Sequence, residues 1–197
     1  MTDFRFDEQT HTYWLGEERL PGPSELFKHF GLVDTQWYAP GSAQRGKAIH
    51  AAIAIYCRGE LEKYEIDPVC LPYMEAWKKF VADTGYKSDV CETPMYNPIY
   101  RFACIPDDFG QMDGDTWVID RKTGASHWTA RLQLTAQALC AQTFYKDEQL
   151  IPKRATLEIK ADGTYKLRQF SDENWQTDRN DFLSLVTTWH LQNRRKQ

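Results

Sequence analysis

Three features of the sequence predict an α/β sandwich, with helices covering a mixed sheet. Helical and strand-like runs alternate in the order helix, three strands, helix, strands, helix. Apolar residues at helical spacing end at glycines that can close a helix, as at Gly59 and Gly85. Two Asp-Gly dipeptides, Asp113-Gly114 and Asp162-Gly163, lie between strand-like runs where a hairpin turn is needed. With 197 residues, 42% of them hydrophobic and 14% aromatic, the chain is long enough for one domain with a sizeable core. It has no internal repeat and no Ser/Gly linker, which supports a single unit over 1–197.

The elements follow in order. "FRFDEQTHTYWLG" alternates as a small hairpin, and "PSELFKHFG" reads as a short helix with Ser24 as N-cap and Gly31 beyond its end. These make an N-terminal segment over 1–41. The core, about 42–170, opens with the Ala/Ile-rich helix "SAQRGKAIHAAIAIYCRG". A second helix, "LPYMEAWKKFVADTG", carries Met74, Trp77, Phe80 and Val81 on one stripe. Strands are expected at about 88–96, 99–107 and 115–122, followed by a long helix in "WTARLQLTAQALCAQTFY". "ATLEIKADGTYKLRQF" is a hairpin with a type I′ turn at Asp162-Gly163, and a last helix covers about 172–195.

Composition excludes some classes. No run of 18 apolar residues and no secretory signal is present, so the expectation is a cytoplasmic protein with no membrane partner. Five scattered cysteines without a C-x-x-C pair fit reduced thiols better than disulfides or a zinc site. The net charge of −4 argues mildly against nucleic acid, since domains that bind it usually carry a basic excess.

The chemistry concentrates in "IPDDFGQMDGDTWVIDRKTG", residues 105–124. With Asp113-Gly114 central to the turn, cross-strand partners sum to 227, and Asp107 then faces Asp120 at roughly 4.5–5.5 Å between Cβ atoms. Lys122 emerges on the same face two residues on. Like charges facing each other are destabilising unless something positive sits between them, and a divalent ion such as Mg²⁺ or Mn²⁺ meets that need. Lys122 could then orient the attacking water or help deprotonate it, and stabilise charge on a phosphate. The competing reading is a solvated face with Lys122 as a salt-bridge partner. A bulge at Gly110 would also shift the register and bring Asp108 opposite Asp120.

Further motifs favour the metal reading. "IPD" ending at Asp107, then "VIDRKTG" with Asp120-x-Lys122, resembles the PD-(D/E)XK nuclease signature. "RGKAIH" ending at His50, "LQLTAQA" with Gln133, and the lead-in "HTYWLGEERLPGPSELF" stand in the order of the exonuclease-like branch that includes the RecB nuclease domain and bacteriophage exonucleases. The resemblance spans roughly residues 11–145. It implies a restriction-endonuclease-like core and metal ligation by His50, Asp107, Asp120 and the backbone carbonyl of Arg121. It implies that Lys122 is the catalytic lysine and that Gln133 lies near it and the DNA. In place of the family's Gln-x-x-x-Tyr, this chain has Gln133 and Gln137, two amides on one helix face. No cysteine follows Cys140, which leaves no set of cysteines for the iron–sulfur cluster some relatives hold.

Glu92 is the candidate for the acidic residue that many members place on the preceding strand. If Asn97-Pro98 is central to the turn there, partners sum to 195 and Glu92 lies on the order of 13 Å from Asp107. It is therefore expected behind the ligands or, with Gln137, on the DNA side. Basic groups that could form a local patch are Arg45 and Lys47, Arg121 and Lys122, Arg131, Lys153 and Arg154, and Arg194 to Lys196, with Trp128 placed to stack on a base.

The expectation is thus a Mg²⁺- or Mn²⁺-dependent deoxyribonuclease, an exonuclease of phage or prophage type acting on DNA in a bacterial cytoplasm, with a single-strand annealing or recombination protein as partner. A structure-selective endonuclease of the same fold is the alternative within the class. A DNA-end-binding module that does not cleave is the alternative outside it.

Overall fold

The computed structural model describes residues 3–33 and 41–194; Arg195 and Lys196 of the expected basic group lie outside them. The N-terminal hairpin gains a third strand. β1 (Phe4–Asp7), β2 (Thr12–Leu15) and β3 (Glu18–Leu20) form an antiparallel sheet. Helix α1 (Pro23–His29) follows, with Gly22 rather than Ser24 as its N-cap. The position is closed to larger residues, because a Cβ on Gly22 would stand 2.9 Å from the Tyr13 ring. Pro23 then opens the first turn, where its fixed φ suits a helix start. Helix α2 (Ser42–Cys57) and helix α3 (Leu71–Thr84) come next, the latter closed by Gly85 in the left-handed conformation.

The expected strands at 88–96 and 99–107 are each broken. β4 (Lys87–Cys91) stops at Glu92, whose φ of 47° turns the chain out of the ladder. β5 (Met95–Asn97) and β6 (Phe102–Cys104) then pair only with each other, Tyr96 opposite Ala103, so their partners sum to 199 and not 195. The side chain of Asn97 causes the difference. Its Oδ1 accepts from the backbone N–H of Ile99 and Tyr100, and its Nδ2 donates to the carbonyl of Leu139, which holds a four-residue loop where a two-residue turn was expected.

β7 (Asp108–Met112) and β8 (Asp115–Lys122) keep the expected register, with Phe109 opposite Val118 and positive φ at both Asp113 and Gly114. The irregularity feared at Gly110 falls instead on β4, between Ser88 and Val90. Gly110 is what allows it, because a Cβ there would lie 1.9 Å from the carbonyl oxygen of Lys87. Helix α4 (Ala130–Tyr145) crosses from β8 to β9 (Lys153–Ile159), which runs parallel to β8. β10 (Tyr165–Phe170) returns antiparallel, giving the order β10-β9-β8-β7-β4. Its turn is not type I′. Only Gly163 takes positive φ, while the Asp162 carboxylate accepts from the N–H and hydroxyl of Thr164, and the pairing shifts by one residue.

Helix α5 (Trp175–Arg194) completes a mixed α/β fold with helices on both faces of the five-stranded sheet. Side-chain alternation builds two cores. Phe109 and Val118 pack with α1, α4 and α5 on one face; Met112, Trp117 and Ile119 pack with α2 and α3 on the other. The N-terminal sheet packs through Tyr13 and Leu20 on Ala103.

Candidate active site

At the end of β8 the two faces carry opposite chemistry. Asp120 and Lys122 point to the α4 side, and Arg121 between them points to the α2/α3 side. Continuing the observed register by one residue sets Asp107 opposite Asp120, as the sequence predicts. Asp107 is pinned there, since its Oδ2 accepts the backbone N–H of Arg121 at 2.6 Å. Lys122 Nζ lies 2.7 Å from Asp120 Oδ2 and 3.4 Å from Gln133 Oε1 on α4. His50, from α2, brings Nδ1 to 2.8 Å from Glu92 Oε1 and 3.5 Å from Asp107 Oδ1.

Glu92 is therefore not remote from Asp107. The sum of 199 set by the Asn97 loop puts residue 92 level with residue 107, and the N–H of Glu92 donates to the carbonyls of Pro106 and Asp107. Its positive φ is an uncommon conformation for a side-chain-bearing residue, and it aims the carboxylate at His50.

The carboxylates are electrostatically distinct. Burial pushes Asp120 up to about 6; the Lys122 charge opposes this and the Asp107 charge adds to it. Burial also raises Glu92, but hydrogen bonding to His50 and the Arg121 charge outweigh it and leave Glu92 below its ordinary range. For His50 burial favours the neutral ring, yet Asp107 and Glu92 prevail and hold it above its ordinary value.

Ligand atoms of His50, Glu92 and Asp107 lie within 4.8 Å of one another. Asp120 stands beside this group and is fully buried, and among the described residues neither of its oxygens receives a well-directed hydrogen bond. Lys122 meets one oxygen as an ion pair, and among the described residues the other has no hydrogen-bond partner. A buried carboxylate oxygen left in this way is costly, and an imidazole with several carboxylate oxygens is a donor set compatible with a divalent cation.

The remaining candidate residues divide. Arg45 and Lys47 are exposed on the first turns of α2. Trp128 is 51% exposed rather than core, with the Arg131 guanidinium 5.7 Å over its ring. Arg131 is not a spare cation, because Asp178 and Asp181 both pair with it. Lys153 is neutralised by Asp172 at the surface, and Arg154 is buried against Asp178 and Thr135, so neither is a spare surface cation. Gln137 is buried, its Oε1 without a partner among the described residues, and it lines a cavity of about 210 Å³ with Tyr13, Ser24, Glu92, Asp107 and Gln133.

Sequence reasoning missed the side chain of Arg121, counting it among the surface basic groups. It is buried, donates to Glu92 Oε1 at 2.7 Å and to the Asp107 carbonyl at 2.8 Å, and braces both from behind. Alternation along β8 held the signal, since a residue between Asp120 and Lys122 must face the opposite core.

No protein-family model and no curated protein matches this chain. Among solved structures, the alkaline exonuclease LHK-Exo of Laribacter hongkongensis is similar at 16% identity with a TM-score of 0.42, over 90% of this chain and 92% of that one. The same exonuclease in complex with dAMP gives a TM-score of 0.43. At that degree of likeness, the geometry of the site itself has to support a functional reading.

Proposed function

We propose that the protein is a divalent-metal-dependent deoxyribonuclease acting from DNA ends. The observation that carries this reading is the convergence of His50, Glu92, Asp107 and the unsatisfied Asp120 beside Lys122, all at one end of the sheet. Four acidic and basic groups of this kind, with a lysine held by an acidic neighbour and an amide, match the needs of phosphodiester hydrolysis.

His50, Glu92, Asp107 and Asp120 would hold the ion, Mg²⁺ or Mn²⁺, which when bound supplies charge neutralisation and Lewis acidity. Lys122 places a compact positive charge where negative charge develops on the phosphoryl oxygens, and it is positioned to orient the attacking water. Gln133 fixes the lysine through its Oε1. Arg121 acts through others, keeping Glu92 and Asp107 in place. Arg45, Lys47 and the exposed Trp128 are candidates for contact with the DNA backbone and a base. A role in phage-type recombination or DNA processing, with an annealing or recombination protein as partner, belongs to the same proposal.

The test compares linear and covalently closed circular duplex of one sequence, with Mg²⁺, with Mn²⁺ and with EDTA. Loss of the linear DNA, persistence of the circle and silence in EDTA are expected. Rapid nicking of the circle would favour an endonuclease, and retention of ends without cleavage would favour a binding module.

A further inference from the structure

We infer that Cys57 and Cys91 form a modification site, a dithiol that a peroxide converts to a disulfide joining α2 to β4. Their sulfur atoms lie within 4.8 Å of each other, although 33 residues separate them in sequence. Both are half-buried, whereas Cys70, Cys104 and Cys140 are buried. The buried guanidinium of Arg121 brings Nη1 and Nη2 each to 3.6 Å from Cys91 Sγ. Two partly exposed thiols within reach of each other are the setting in which an oxidant produces a disulfide.

A metal ion is the less suitable occupant. Asp108, the third group near the two sulfurs, already has both oxygens engaged, one by the Tyr86 hydroxyl at 2.7 Å and one by Arg121 at 3.2 Å.

The chemistry balances with the peroxide as the only co-reactant. Cys57, whose sulfur adjoins that of Cys91, attacks the peroxide. An S–O bond forms, the O–O bond breaks, and the first water leaves, so that Cys57 becomes a sulfenic acid. Cys91 then attacks the Cys57 sulfur; the S–S bond forms, the S–O bond breaks, and its thiol proton leaves with the second water. Two thiols have been oxidised and one peroxide reduced.

Position makes the link consequential. Cys57 lies seven residues, about two helical turns, after His50 on α2, and Cys91 immediately precedes Glu92. The disulfide would therefore couple the two elements that bring His50 and Glu92 together. The chemistry itself does not depend on whether that site cleaves DNA.

The parent protein, treated with equimolar hydrogen peroxide, alkylated and then digested, should yield one peptide linked through Cys57 and Cys91. A thiol reductant should release it, and Cys104 and Cys140 should remain alkylatable after unfolding. Cys57→Ser and Cys91→Ser should each abolish the link, with circular-dichroism melting curves to confirm folding; the mapping of the parent protein stands without them. Three results would overturn the inference: conversion of Cys57 to sulfinic acid with no link, a Cys104–Cys140 disulfide in its place, or stoichiometric retention of added Zn²⁺ that protects both thiols from alkylation.

Discussion

Asp107 and Asp108 are neighbours in sequence and opposites in environment. Asp108 faces α2 and α3, is fully buried, and receives both the Tyr86 hydroxyl and the Arg121 guanidinium. Asp107 faces the α4 side with Asp120, where three carboxylates, counting Glu92, share His50, Lys122 and the tip of Arg121. On the first face both oxygens of the buried carboxylate have a partner. On the second, among the described residues, an oxygen of Asp120 is left without one. The difference teaches that burial of a carboxylate is not itself a functional signal. What separates a structural acid from a candidate ligand is whether the fold has completed its coordination.

Four measurements would break or sharpen this contrast. The largest effect is expected on the structural face. Asp108→Ala strands the buried Arg121 charge and should cost about 3 kcal/mol or more in chemical denaturation, the scale for breaking a buried ion pair. A near-neutral result would mean that Glu92 alone satisfies Arg121.

Next in size is Lys122→Ala, which should lower DNA cleavage at least about 10²-fold in single-turnover assays while DNA affinity changes little. Normal cleavage with lost DNA binding would make Lys122 a phosphate contact only. Glu92→Gln follows. If Glu92 belongs to the ion's donor set, calorimetry with Mn²⁺ should show affinity weaker by at least about 10-fold than in the parent protein. Unchanged affinity would return Glu92 to the supporting position that the shorter turn implied.

The smallest effect has the opposite sign to the first. Asp120→Asn removes a charge whose ionised form burial disfavours, so its melting temperature should stay level or rise. A gain of about 1 kcal/mol corresponds to roughly 2–4 °C for a chain of this size. A large fall would show that the Asp120–Lys122 pair is a stabilising bridge, and the two faces would then be alike.

The Asp107/Asp120 register was legible because everything that sets it is local. Asp113-Gly114 accepts positive φ at both central positions, and the two-residue period carries that geometry without slip to Asp120 and Lys122. The helix stops were legible for a similar reason, Gly85 being read from its own backbone freedom. The same reasoning failed at Asp162-Gly163, where the Asp162 side chain bonded Thr164 and selected another turn.

The sequence by itself determined the features that depend on a few adjacent dihedral angles: helices and their glycine stops, the central hairpin, and the face shared by Asp120 and Lys122. Only the tertiary structure decided which charges have partners. Glu92 reaches His50 because Asn97 is held by the Leu139 carbonyl on a helix about 40 residues away, which lengthens a loop by two residues and moves the register by four. Arg121 and Arg154 read as surface cations until the sheet buried them against acids from distant segments, and Cys57 meets Cys91 only because α2 lies across the end of β4. Local preferences act through covalent geometry and are written into short stretches of chain. Charge compensation acts through space, and its partners are fixed only when the segments have packed.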